Sequence, residues 1–154
     1  MHQERRVNVR AIIYKNGQIL AVKHKNSDGT ESSYYAVPGG GVDPMEALEP
    51  ALQREIYEET GVRASVGRLL FIQQFASERE GYGEELEFFF EVTNANDFDA
   101  IDLSSTSHGN IELAVCEFID AGKENVLPRF LQHIDIGSYI TTPQPTLVID
   151  NFNE

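Results

Sequence analysis

The sequence is poor in cysteine and in positive charge. Among 154 residues there is one cysteine, Cys116. That excludes a disulfide framework, and a reducing, cytoplasmic compartment is expected. Twelve lysines and arginines stand against 25 aspartates and glutamates, a formal net charge of −13. Such a chain has no basic footprint, so nucleic-acid polymers are not expected partners. No apolar run approaches the length of a membrane helix. The N-terminal stretch MHQERRVNVR has no hydrophobic signal region, so neither membrane insertion nor secretion is expected. Internal repeats and linkers are also missing. One domain over 1–154 is the simplest organisation, with a core over about 5–135 and an extended tail over 136–154.

What the chain does have is concentrated in residues 38–62, PGGGVDPMEALEPALQREIYEETGV. Pro50 fits only the first turn of a helix, because proline lacks the N–H that a helix interior needs. The spacing therefore predicts a helix over about 47–60 with Gly61 as its left-handed stop. Asp43 reads as an N-cap with Glu46 as its capping-box partner. At about 100° per residue, Leu48, Ala51, Leu52 and Ile56 share one apolar stripe. Glu55 and Glu59 project into that stripe and Glu58 sits at its edge, where a solvated helix would place no glutamates. Buried carboxylates are costly unless paired or bound to a cation. Several converging carboxylates suit a hard divalent ion such as Mg²⁺. Gly39, Gly40 and Gly41 precede the helix and permit close backbone approach to a ligand. A bound cation would also explain how an acidic protein holds an anionic substrate.

This stretch resembles the Nudix box: Gly, five residues, Glu, seven residues, Arg-Glu-aliphatic-any-Glu-Glu-any-Gly-aliphatic. Gly40, Glu46, Arg54, Glu55, Ile56, Glu58, Glu59, Gly61 and Val62 match every specified position. From average residue usage, a chance match is below about one in 10⁹ per window. The resemblance, extended by the flanking strand pattern to about 1–135, implies an α/β fold, a Nudix-type α/β/α sandwich with a mixed central β-sheet. It implies Mg²⁺-dependent cleavage of a nucleoside diphosphate linked to another group, with Mn²⁺ as a substitute. It assigns Glu55, Glu58, Glu59 and the Gly39 carbonyl to the metal, and Arg54 to holding the glutamates. Glu46 would support the loop or an outer metal site. The general base is either a box glutamate or a downstream residue, here Glu112, with Glu84, Glu85 and Glu87 behind it.

The rest of the chain supplies the frame. Alternation over 6–14 predicts a first strand, Asn16-Gly17 a hairpin turn, and QILAVKHK a second strand over about 18–25. Lys23 at its end reads as a phosphate contact or a solvated strand end. His24 reads as a surface or satisfied residue. After a polar loop over 26–33, a short strand over 34–37 leads into Gly39 and Gly40. Tyr35 reads as a base-stacking platform or as core. Strands are expected within 64–77, centred on Leu69–Phe75, and over Leu86–Val92 and Glu112–Ile119, with Phe88, Phe89 and Phe90 in the core. Residues 77–85 read as a charged turn. Residues 94–110 show no periodicity and read as a lid or substrate loop. A helix is expected over 123–134, its stripe formed by Val126, Leu127, Phe130, Leu131 and Ile134. Leu147-Val148-Ile149 reads as packing on the domain or on a second copy, as a homodimer.

Substrate class is less legible. ADP-ribose-type members carry a proline about fifteen residues beyond the box, and here none lies between Pro50 and Pro128. Tyr82 lies a few positions beyond the tyrosine of diadenosine-polyphosphate-type members, and the NADH-type motif is absent. Oxidised dNTP, NDP-sugar and dinucleotide substrates stay open. Two other readings compete: a catalytically silent nucleotide-binding module of the same fold, and an isoprenoid diphosphate isomerase. The second needs a cysteine at the site, and a late-strand Cys116 is badly placed for it.

Overall fold

The computed structural model describes residues 4–153. Its centre is a mixed sheet ordered β10-β6-β7-β1-β5. Those strands are β1 (Glu4–Ile12), β5 (Gly39–Gly41), β6 (Val66–Ala76), β7 (Tyr82–Val92) and β10 (Leu147–Asp150). β1 runs parallel to β7 and β10 parallel to β6, while β6–β7 and β1–β5 are antiparallel. A second sheet joins β2 (Tyr14–Lys15), β3 (Gln18–His24), β4 (Tyr35–Ala36) and β9 (Val126–Leu127), with β8 (Leu113–Ile119) also pairing β3. Asn16 and Gly17 both have positive φ, 51° and 79°, as the tight β2–β3 hairpin requires.

Helix α1 (Leu48–Thr60) covers one face of the central sheet. Ala51, Leu52 and Ile56 pack there with Val9, Ala11, Ile13, Leu20 and Phe90. On the other face, Ile12, Phe71 and Phe89 meet Ile19, Leu131 and Ile136, and the Phe130 and Tyr139 rings stand edge-on to Phe71. This is the α/β/α layering expected. Phe88, Phe89 and Phe90 alternate between the two clusters, which explains the unbroken apolar run. No helix among the described residues is long and apolar enough to cross a membrane.

Several boundaries differ from the expectation. The 123–134 helix does not form. Val126–Leu127 is strand β9, pairing with Tyr35 and Ala36, and only Arg129–Gln132 makes a 3₁₀ turn. Pro128 is the reason, since it disfavours helical backbone at Leu127 and offers no N–H. The tail is not extended throughout. Asp135 caps a helix α3 (Ile136–Thr141) by accepting from the Ser138 amide, and the Arg68 guanidinium donates to the Tyr139 and Ile140 carbonyls. β10 then adds to the sheet edge beside β6, so Leu147-Val148-Ile149 is seated on its own chain. Nor are residues 82–85 a turn. They extend β7, because Arg5 and Arg6 lie in register with Glu84 and Glu85 and pair with them.

Candidate active site

The site grows out of the β5–α1 connection. Met45 turns the chain with φ 65°, and the Asp43 amide donates to Glu46 Oε1 at 3.0 Å. Glu46 thus closes a turn before the helix. The expected Asp43 cap is not made: Ala47 is the N-cap residue and has no side-chain bond. At the other end Gly61, φ 75°, donates its N–H to the Tyr57 carbonyl and stops the helix.

Arg54 ties loop and helix together. It donates to both Glu46 oxygens at 2.8 Å, to Glu55 Oε1 at 2.9 Å, to Glu58 Oε2 at 3.4 Å and to the Gly41 carbonyl at 3.0 Å. Those bonds hold the Glu46 carboxyl well below the usual range, at about 2. Glu55 is pulled the other way. Burial raises its pKa, Arg54 opposes that rise, and the Glu58 charge adds to it. A Cβ on Gly40 would lie 2.5 Å from the Glu55 carboxylate, so only glycine leaves room for it. Gly39, φ 147°, sits flush against the Val9 carbonyl and the Arg10 backbone, where any side chain would collide.

Glu59 is the deepest of the three. It is buried, and its Oε2 has no hydrogen-bond partner. Desolvation pushes its carboxyl up to about 8, against the pull of Arg10 and a hydrogen bond from the Gly39 amide. Glu58 accepts from Arg54, and on its other side His108 Nδ1 lies 3.0 Å from Glu58 Oε2. Among the described residues no three ligating side chains converge into a ready-made set, since Arg54 holds Glu55 and Glu58 in ion pairs. The donor chemistry nonetheless fits a hard cation: three carboxylates on one helix face, one of them buried with an oxygen that has no hydrogen-bond partner.

The downstream segment docks here instead of hanging free as a lid. Phe98 is buried among the α1 contacts. The His108 amide donates to the Glu58 carbonyl at 2.9 Å, and Gly109 presses on the Glu59 carbonyl where a Cβ would collide. Short turns at Ala95–Phe98 and Leu103–Ser105 and a one-turn helix α2 (Gly109–Glu112) replace the structureless loop. Glu112 ends α2, and the strand expected to begin with it begins at Leu113. It is exposed, and its charge is felt by both Glu59 and His24. Glu84, Glu85 and Glu87 are committed to Arg5, Arg6 and Arg10.

Tyr35 is not a stacking platform. Its ring belongs to the core, and its hydroxyl donates to Glu117 at 2.5 Å, which with burial pushes it up to about 12. Lys23 lies over that ring, 4.7 Å from its centre, with Glu31 at 3.4 Å. Cys116 sits nearer the site than expected, close enough to feel the Glu59 charge. Burial and that charge push its thiol up to about 12, which suits no thiolate chemistry.

Sequence reasoning missed Arg10 and His108. Arg10 looked like one polar residue in a strand alternation. His108 lay in a stretch without periodicity, and only the neighbouring Gly109 hinted at close packing.

The NUDIX domain family matches residues 4–129. A nucleoside triphosphatase, NudI, of Enterobacter sp. (strain 638) is 42% identical over 55 residues, 36% of this chain and 39% of that protein. An ADP-ribose pyrophosphatase of Methanocaldococcus jannaschii is 37% identical over 84 residues, 54% of this chain and 48% of that protein. The chain thus spans less than half the length of either relative. Among solved structures, the E. coli ORF135 protein superposes with a TM-score of 0.67 at 21% identity, over 92% of this chain and 95% of that one. At that identity the likeness shows the fold alone.

Proposed function

We propose, from the fact that this chain belongs to the NUDIX family, that it hydrolyses a nucleoside diphosphate linked to another group, using a divalent cation held on α1. The observation that carries this reading is Glu59, a buried carboxylate with one oxygen unpartnered. Among the described residues no other acid has a buried oxygen without a hydrogen-bond partner, and a cation is the partner that would stabilise it. Glu55, Glu58, Glu59 and the Gly39 carbonyl would hold Mg²⁺, with Mn²⁺ able to replace it. When bound, the ion offsets charge on the diphosphate oxygens and lowers the pKa of a bound water.

The chain's own residues set the geometry. Arg54 locks the Gly41 carbonyl, Glu46, Glu55 and Glu58 into one unit, so the glycine loop and the helix keep their spacing. Gly40 leaves the Glu55 carboxylate room to stand against the loop. The proton from the attacking water would go to a glutamate of α1 or to Glu112, and the charges of Glu55 and Glu112 both act on Glu59. The relatives named above put nucleoside triphosphates and ADP-ribose first among substrates to try.

The test is a nucleotide panel with and without Mg²⁺, run on the wild type, Glu55→Gln and Glu59→Gln, with released phosphate measured after a coupling phosphatase. Cation-dependent turnover by the wild type alone is expected. Nucleotide binding without turnover on any substrate would identify a silent binding module instead.

A further inference from the structure

The diphosphate site has a second wall, on β1. Arg10 lies opposite Gly39 in the β1–β5 register, and the next glycine, Gly40, touches the Glu55 carboxylate. This places the Arg10 guanidinium across the glycine strand from the α1 carboxylates. Glu87 holds it there, accepting from Nε at 2.9 Å, and the Val37 carbonyl accepts from Nη1 at 3.4 Å. A guanidinium has five N–H donors. Among the described residues these are the only side-chain bonds Arg10 makes, whereas Arg54 spends its donors on three glutamates and a carbonyl. Its side chain is 17% exposed, so the group is not sealed from solvent.

Charge decides what those donors meet. With no cation present, Arg10 offsets Glu55 and Glu59, and both of these charges act on it. A dication on the carboxylates takes over that task. The Arg10 N–H groups that Glu87 and Val37 leave unused are then free to meet an anion. A diphosphate is the ligand that satisfies both the ion and the remaining donors.

We propose that Arg10 is a phosphate-binding residue of this cleft, held in place by Glu87, which acts as a positioning residue. The inference rests on the hydrolase reading for its setting, but its test does not require turnover. The probe is imidodiphosphate, a non-hydrolysable diphosphate, titrated into the Mn²⁺-loaded protein by calorimetry, with Mn²⁺ binding measured separately without it.

Arg10→Ala should weaken imidodiphosphate binding by about ten- to a hundredfold, the range for one lost charged hydrogen-bond donor. Arg10→Lys should lie between it and the wild type. Mn²⁺ affinity without diphosphate should stay equal or rise, because a competing cation has gone. Since Arg10→Ala strands Glu87, the Arg10→Gln/Glu87→Gln double variant is made beside it and should reproduce the loss with an unchanged Tm. Unchanged imidodiphosphate binding in these variants, or none in the wild type, would overturn the proposal. So would a joint fall in Mn²⁺ affinity, diphosphate affinity and Tm, which would make Arg10 a structural residue. Arg10-dependent diphosphate binding without turnover on any nucleotide would refute the hydrolase reading and leave this one standing.

Discussion

Buried glutamates on the central sheet and on the helix that covers it have opposite characters. On β7, Glu85 and Glu87 are each 5% exposed and fully engaged. Glu85 accepts from Asn8, Arg6 and Ser77, and Glu87 from Asn8, Gln73 and Arg10. Burial works against the Glu85 charge, yet its hydrogen bonds outweigh burial and hold its pKa below the usual value. On α1, Glu59 is as deeply buried but is left with a bare oxygen and a pKa pushed up to about 8. Depth is therefore not what separates structure from chemistry here. A carboxylate surrounded by donors belongs to the scaffold. One buried without them stays costly until something outside the chain binds it.

Glu59→Gln should break the comparison most sharply. It removes the uncompensated charge, so cation-dependent turnover should fall by about a thousandfold, the several kcal/mol that metal charge stabilisation supplies. The cation-free protein should gain stability from the same change, and the sign follows from linkage. A carboxyl raised in the fold binds more protons folded than unfolded, so stability is fully present below about 4.5 and declines as pH rises towards about 8. Thermal melts in chelator should show the Tm of Glu59→Gln matching the wild type near pH 4.5 and exceeding it at pH 8. A Tm advantage that does not grow with pH would contradict the assignment.

Glu85→Ala should act in the opposite sense. It strands Arg6 and Asn8, and removal of one partner from a buried pair costs about 3 kcal/mol. Urea unfolding would read that loss, and cation affinity should be unaltered. Gly40→Ala is expected to cost about a hundredfold in turnover with little change in Tm. Its Cβ first meets the flexible end of Glu55, which can swing away but then no longer faces the loop. Gly39→Ala, which meets backbone, should instead lower Tm. The smallest effect belongs to Met45→Gly. Met45 is fully exposed at φ 65°, so relief of left-handed strain should stabilise the protein by about 1 kcal/mol without touching turnover.

The parts that were legible are those set by neighbours along the chain. Gly61 and Pro50 bounded α1 to within a residue, because each acts through its own backbone. The burial of Glu59 followed from helical periodicity, as did the shared face of Ala51, Leu52 and Ile56. The misread parts depend on distant partners. Val126 and Leu127 carry a helix-like apolar spacing, but β4 was waiting to pair with them and Pro128 removed the competing helix. The 94–110 stretch has no period because it is held point by point, by Phe98, His108 and Gly109, against the end of α1.

By itself, then, the sequence determined that the chain builds a glycine loop followed by one amphipathic helix with carboxylates on its buried side. It also determined the acidity that makes a cation the natural partner. These depend on local backbone preference and on period, both set by neighbours along the chain. Only the tertiary structure decided which acids would be compensated. Helical period and the box single out Glu59, but nothing in the sequence shows that Glu85 would find hydrogen-bond donors and Glu59 would not. One faces a row of amides and guanidinium groups across a parallel strand pair, and the other faces the backbone of a glycine strand with Arg10 on its far side. Long-range register supplies hydrogen-bond donors to one and withholds them from the other.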